Sequence, residues 1–339
     1  MPVIHTGRAI RARSAGRKLF LEDVPFRALG EHEVRVKVAA CGVCRTDLHL
    51  ADGELPDARY PVTPGHEVVG YVLERGSQVS EWEIGDRIGI PWLASTCREC
   101  HYCLAGMENL CERAQFTGCT VDGGFAEYTI ADARYALRVP QRYSDVEAAP
   151  LLCAGLIGYR AYRAAGTGAG AGARIGLYGF GAAAHLLAQL ALAQHREVFA
   201  FTRPGDLDAQ AFARELGATW SGGSDEAPPI ELDAAILFAP VGALVPTALA
   251  AVRRGGRVVC AGIHMSDIPS FPYELLWGER SVSSVANLTR ADGREFMRIA
   301  EETPLHPAVQ PFPLTQASEA LQALADGKLR GAAVLVPNG

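Results

Sequence analysis

No stretch of about 18 consecutive apolar residues occurs in the 339-residue chain, so a membrane span is not expected. Positive charge is also in short supply. The 32 Lys and Arg stand against 38 Asp and Glu, and a formal charge of −6 argues against a nucleic-acid surface, which calls for a basic face. The basic opening from Met1 to Arg17 lacks the apolar stretch and small-residue cleavage site of a secretion leader, so a cytoplasmic location is expected. Repeats and low-complexity tracts are missing as well. The Gly/Ala-rich piece from Ala164 to Ala173 reads as a turn ahead of a strand. What remains is 49% hydrophobic and 21% charged, an ordinary globular balance with length enough for two cores.

Two grammars divide the chain. From Val3 to about Pro150, short alternating or apolar runs are separated by Gly, Pro and Asp. Glu33 to Val38 alternates strictly and predicts a half-buried strand; Val68 to Leu73, Ile88 to Ile90 and Phe125 to Ile130 predict others. From about Leu151 strands alternate with helices. Strands are expected at Ile175–Tyr178, Val198–Thr202, Leu232–Phe238 and Gly256–Ala261, and helices at Ala182–Gln194, Ala209–Leu216 and Val245–Val252. That alternation predicts an α/β fold, with a doubly wound parallel sheet in the second part and a β-rich first part. The tail from Thr289 predicts two helices and a last strand near Ala332 to Val336.

Nine cysteines, an odd count without a leader, disfavour a disulfide framework. The spacing Cys97-x2-Cys100-x2-Cys103-x7-Cys111 instead suits four thiolates closing a tetrahedral site, as a structural zinc requires. An iron–sulfur centre and plain buried or paired thiols are the competing readings. Arg98, Glu99, Glu108 and Glu112 mark this lobe, residues 95–113, as exposed. A second cluster lies in Cys41-Gly-Val-Cys44-Arg45-Thr46-Asp47-Leu-His49, answered by Gly65-His66-Glu67. Cys44 and His66 are ligand types that Zn²⁺ prefers, and the Asp52–Pro64 loop between them is able to bring them together. Asp47 could fix the His66 tautomer, and Thr46 and His49 stand one helical turn apart as a proton path.

With these motifs in hand, and with Cys153 in Pro150-Leu-Leu-Cys153-Ala-Gly155, the chain resembles the zinc-dependent alcohol dehydrogenases of the medium-chain dehydrogenase/reductase family over nearly its whole length. The resemblance implies a GroES-like catalytic domain over 1–150 and 287–339 and a Rossmann-type domain over 151–286. It implies catalytic zinc ligands Cys44, His66 and Cys153, with Glu67 a nearby carboxylate and two zinc ions per chain. From the residues alone Cys153 reads equally as a core thiol. Cys41, Cys119 and Cys260 match no ligand position. Neither do His5, His32, His101, His185, His195, His264 and His306, which read as structural or solvated.

Gly179-Phe-Gly181-x-x-Ala184, between a predicted strand and helix, fits the dinucleotide fingerprint: a tight turn, room for pyrophosphate, and close helix–strand packing. The acidic residue that holds a free ribose does not follow the second strand. Thr202 and Arg203 stand there, which favours NADP(H) over NAD(H), with Asp206 or Asp208 as the alternative ribose partner. The resemblance adds Arg45 at the pyrophosphate, Ile263 at the cofactor and substrate end, and Leu55, Trp92 and Leu93 in a pocket wider than ethanol needs. Where the family often has an Arg in the last strand this chain has Ala332, and Arg330, two residues earlier and on the same face if the strand starts there, could substitute. Trp92 and Leu93 also read as core, and His49 as a surface histidine.

The implied reaction is reversible oxidation of small alcohols to aldehydes or ketones, in a dimer or tetramer joined at the sheet edge near Ser281 to Val285. Polyol dehydrogenases usually use a carboxylate as third ligand, and zinc-free quinone oxidoreductases lack the lobe. A cinnamyl-type aromatic-aldehyde reductase remains open within the family. A zinc-bearing sensor would not need Thr46, Asp47, His49 and Glu67 together, and a zinc-ribbon nucleic-acid binder conflicts with the charge.

Overall fold

The computed structural model describes residues 6–166 and 172–337, so the centre of the expected Gly/Ala turn lies outside the described residues. Two compact units emerge. The first takes the described parts of Met1–Cys153, Asn287–Glu302 and Pro307–Gly339; the second takes Ala154–Ala286 and Thr303–His306. Cys153 falls in the first because the 3-10 turn before it, Ala149–Leu152, is buried against the strands Glu33–Val43, Val68–Arg75 and Arg87–Ile90.

The first unit is built on one long strand, Glu33–Val43. Val68–Arg75 and Tyr128–Asp132 flank it antiparallel, and Ala332–Val336 pairs with its far end at Ala333↔Val43. Val309–Pro313, Arg87–Ile90 and Leu137–Arg138 complete the sheet. The strict alternation of Glu33–Val38 predicts a strand wet on one side, but Arg35 is buried too, nearly as deeply as its valine neighbours. Its guanidinium lies 4.4 Å over the Phe26 ring, donates to the Arg27 carbonyl, and meets Glu74 at 3.1 Å. An N-terminal hairpin, Thr6–Ala12 with Leu19–Pro25, had no sequence signal strong enough to predict it.

The second unit is a six-stranded parallel sheet. Its spatial order is Trp220–Gly223, Glu197–Thr202, Arg174–Tyr178, Leu232–Leu237, Val252–Cys260, Ser281–Ser284. Numbered along the chain this is 3-2-1-4-5-6, the doubly wound dinucleotide order. The strands read as apolar runs because both faces are covered: Ile175, Leu177 and Tyr178 are all buried. Helix Ala182–Ala193 leaves the first strand through Gly179, whose φ of +89° only glycine adopts readily. No helix among the described residues is long and apolar enough to cross a membrane.

Candidate active site

The long strand ends at Cys44, which begins the helix Arg45–Asp52. Asp47, in the first turn, is almost wholly buried and stitches two loops together. One oxygen accepts from the Cys44 amide at 2.8 Å; the other accepts from the Gly65 amide at 3.0 Å and stands 3.4 Å from His66 Nδ1. That carboxylate places the Nδ1 proton and leaves Nε2 as the ligand nitrogen. Cys44 Sγ and Cys153 Sγ are 3.8 Å apart, and together with His66 and Glu67 their ligand atoms all lie within 4.8 Å of one another.

Two glycines make room for this cluster. A Cβ at Gly42 would sit 1.9 Å from Glu67 Oε2, and one at Gly65, where φ is +96°, would sit 2.4 Å from the Phe125 ring. His66 Nε2 and Glu67 Oε2 are buried without a hydrogen-bond partner. Leaving such groups unsatisfied costs about 1–3 kcal/mol apiece. Burial, reinforced by the neighbouring Cys44 sulfur, pushes Glu67 well above the usual carboxylate range. The Cys44 contact and then burial push the Cys153 thiol up, while the same contact pulls Cys44 down. Crowded sulfurs, a carboxylate and an unsatisfied imidazole are the donor set a divalent cation would relieve, so these residues fit zinc.

Thr46, also buried, has its hydroxyl 3.7 Å from Cys44 Sγ. His49 lies one turn further along the helix, with Nδ1 at 2.5 Å from Glu54 Oε2.

The four lobe cysteines also gather within 4.8 Å, and no disulfide joins them. Cys97 Sγ stands 3.8 Å from Cys103 Sγ and 3.5 Å from Cys111 Sγ, and it accepts the Cys100 amide at 3.3 Å. Amides aimed at sulfur suit thiolates held on a metal. The lobe is tied down by Glu108, which takes a two-pronged bond from Arg290 at 2.9 and 3.0 Å, and by Thr96 bonded to Tyr135.

Trp92 stacks on Phe116 with ring centroids 5.0 Å apart and meets the His66 ring edge-on at 5.1 Å. Leu55 packs into the same partly buried cluster. Leu93 does not join them. As the first residue of the short strand Leu93–Ser95, it packs under the lobe against Cys111, Ala114 and Tyr135, where it is core and not pocket.

In the cofactor unit, Gly181 begins helix Ala182–Ala193, and nothing lies within 4 Å of where its Cβ would stand. With Ala184 fully buried behind it, that open cradle at a helix N-terminus fits a pyrophosphate. His185, next to Ala184, is buried and pushed down to about 4 by that burial, so it adds no charge there. Thr202 departs from expectation. Its hydroxyl is buried, bonded to the Gly222 carbonyl and accepting from Gln210, so it is not available to a phosphate. Asp206 is likewise committed, capping the next helix through the Ala209 amide. Arg203 and Asp208 are exposed. Arg45 is exposed at the start of its helix and Ile263 follows the strand Val252–Cys260. Arg330 is exposed but not on the last strand, which begins at Ala332; Gly331 with φ +87° turns the chain between them, so the shared strand face expected for it does not exist.

Residues 30–141 match the alcohol dehydrogenase GroES-like domain family. Over 310 residues, 90% of this chain and 88% of the other, the chain is 49% identical to a probable alcohol dehydrogenase, AdhA, of Mycobacterium tuberculosis. It is 36% identical to an alcohol dehydrogenase of Geobacillus stearothermophilus, covering 94% of this chain and 95% of that one. Among solved structures, a cinnamyl alcohol dehydrogenase of Sorghum bicolor superposes with a TM-score of 0.90 at 28% identity, covering 99% and 98% of the two chains. The chain belongs to the zinc-dependent alcohol dehydrogenase family.

In this alcohol dehydrogenase, sequence reasoning missed Gly42, Glu54, and the Glu108–Arg290 tie. Glycine in an alternating strand beside a ligand was a usable signal for the first. Glycine just past the helix was one for the second, while the third joins residues too far apart in sequence to read. Gly181→Val is expected to raise the KM for cofactor at least about tenfold, because the side chain would fill the pyrophosphate cradle. Since the Cβ meets no protein atom, thermal unfolding should stay at the wild-type midpoint. Cofactor titration followed by nicotinamide fluorescence checks it.

Proposed function

We propose that this dehydrogenase oxidises primary and secondary alcohols reversibly to aldehydes and ketones, with zinc at Cys44, His66 and Cys153, a second zinc at Cys97, Cys100, Cys103 and Cys111, and NADP(H) preferred over NAD(H). The observation that carries the reading is the gathering of two sulfurs, an imidazole and a carboxylate within 4.8 Å, with the ring nitrogen turned away from Asp47, Nε2, buried without a hydrogen-bond partner. When bound, the metal supplies Lewis acidity to the alcohol oxygen and the nicotinamide supplies the hydride acceptor.

The chain's own residues do the rest. Asp47 holds the His66 ring in its ligating tautomer, and Glu67 adds a buried negative charge beside the sulfurs. The Thr46 hydroxyl receives the alcohol's proton while giving up its own, and His49 carries the charge onward. Glycines 179 and 181 with the helix N-terminus hold the pyrophosphate, and Arg45 and Ile263 are further proposed cofactor contacts.

The stacked Trp92 and Phe116 rings with Leu55 make an apolar, aromatic surface against His66, which suits alcohols larger than ethanol, benzylic and cinnamyl types included. Association into a dimer or tetramer through the exposed edge strand Ser281–Ser284 belongs to the same reading. The deciding experiment measures metal per chain and alcohol-dependent reduction of NAD⁺ and NADP⁺ side by side. Two zinc ions and alcohol-dependent turnover support the reading; no turnover in the zinc-loaded protein removes it.

With Thr202 and Asp206 engaged internally, the NADP(H) preference rests on Arg203. A guanidinium–phosphate contact of about 1.5–3 kcal/mol converts to roughly 10- to 100-fold. Arg203→Ser is therefore expected to lower kcat/KM for NADP⁺ by that factor and to leave the NAD⁺ value within about twofold. Equal losses with both cofactors would contradict the assignment.

A further inference from the structure

The helix Arg45–Asp52 ends in a turn closed by two backbone bonds. The Gly53 amide donates to the Leu50 carbonyl at 3.0 Å, and the Glu54 amide donates to the His49 carbonyl at 2.9 Å, with Gly53 at φ +80°. This way of stopping a helix folds the side chain at position 54 back over the one at position 49, where proteins commonly place an apolar pair. Here the pair is a carboxylate and an imidazole, Glu54 Oε2 and His49 Nδ1. A carboxylate only accepts, so Nδ1 carries the proton and Nε2 is the basic nitrogen. The His49 side chain is 13% exposed and that of Glu54 is 41% exposed, so the pair runs from the interior to solvent.

Among the described residues, Asp52 carries a charge that the ring feels, and it pairs with Arg17 at 2.7 Å. The helix packed alongside, Ala317–Ala325, brings Ser318, Leu321 and Gln322 to the cleft it shares with Arg17, Leu48 and Ala51, and these three are uncharged. Glu54 is thus the anion in direct contact with the imidazole, while Asp52 is engaged by Arg17.

We propose that Glu54 is a positioning residue of the proton exit, holding His49 as the Nδ1-protonated tautomer and receiving the proton that leaves. The inference rests on the alcohol oxidation proposed above. The proton released from the alcohol hydroxyl binds His49 Nε2; the imidazolium forms against the Glu54 carboxylate, which takes the Nδ1 proton and yields it to water. Exchange with water restores the starting ring. One proton enters and one leaves.

The test uses the zinc-loaded full chain and three variants, Glu54→Ala, His49→Gln and the double variant. Long-range proton–nitrogen spectra, with His49 identified by its loss in His49→Gln, should show a protonated Nδ1 and a bare Nε2 in wild type and a shifted or mixed tautomer in Glu54→Ala. Turnover should fall about tenfold in Glu54→Ala with the cofactor KM unchanged, below the full range of acid–base catalysis because the ring itself remains. The double variant should be no slower than His49→Gln alone. An unchanged His49 tautomer, or losses that multiply in the double variant, would overturn the proposal. Wild-type protein without alcohol-dependent turnover would count against the oxidation reading instead, and the nitrogen spectra would still decide whether Glu54 holds the ring.

Discussion

Cys44→Ala is expected to lower kcat for alcohol oxidation by about three orders of magnitude and to remove one of the two zinc ions proposed per chain. Metal Lewis acidity is worth several kcal/mol in such reactions, and each 1.36 kcal/mol is tenfold in rate, which gives about 10³. The fold should survive. The helix that starts at Cys44 is held by Asp47 bonding to the Cys44 and Gly65 amides, and neither bond involves the sulfur. What remains, Cys153, His66 and Glu67, is one donor short of the set. Zinc analysis and initial rates on the same preparation check the expectation. Full zinc content, or more than a tenth of wild-type turnover, would show that Cys44 is not a ligand.

The parts of this protein that could be read from its residues are those whose chemistry or period is local. Thr46 and His49 lie one turn apart on a real helix because positions i and i+3 share a face whatever the tertiary context. The cysteine lobe gathers four sulfurs because the short spacings leave the chain little choice. Four of the six parallel strands follow from apolar runs that only a sheet covered on both sides explains, whereas Trp220–Gly223 carries no such run.

The misreadings have a different origin. Thr202 carries the right group for a phosphate, but Gln210, one helix later, takes its hydroxyl, and that register between helix and strand is invisible in sequence. Arg330 was displaced by a single left-handed glycine, Gly331. Leu93 follows Trp92 directly, but the strand Leu93–Ser95 begins between them and the two side chains join different apolar clusters, a break that the sequence does not mark. Arg35 keeps its charge inside because Phe26 and Glu74, from two other segments, arrive to cover and neutralise it.

Cys103→Ser tests the other metal, and its effect should appear in a different quantity. Among the described residues, the apolar cluster beneath the lobe has Leu93, Cys111, Ala114 and Tyr135 as its buried members, with Cys97, Cys100, Cys103 and Phe116 packed on them in part. Four of these eight are the lobe cysteines, so the sulfurs and the metal proposed on them are a large share of what the lobe has for a core. Zinc in small sites of this kind contributes roughly 10 kcal/mol or more to local folding, so losing one ligand should open the segment locally. Arg98 and Arg113 stand on the lobe, and trypsin should cut after them at least about a hundredfold faster in the variant, since cleavage tracks the open population when reclosing is fast. Opening should stop at the anchors, because Thr96–Tyr135 and Glu108–Arg290 bind the lobe's edges to segments outside it. First cuts elsewhere in the chain, or no change in cutting, would mean that the four cysteines hold nothing the fold depends on.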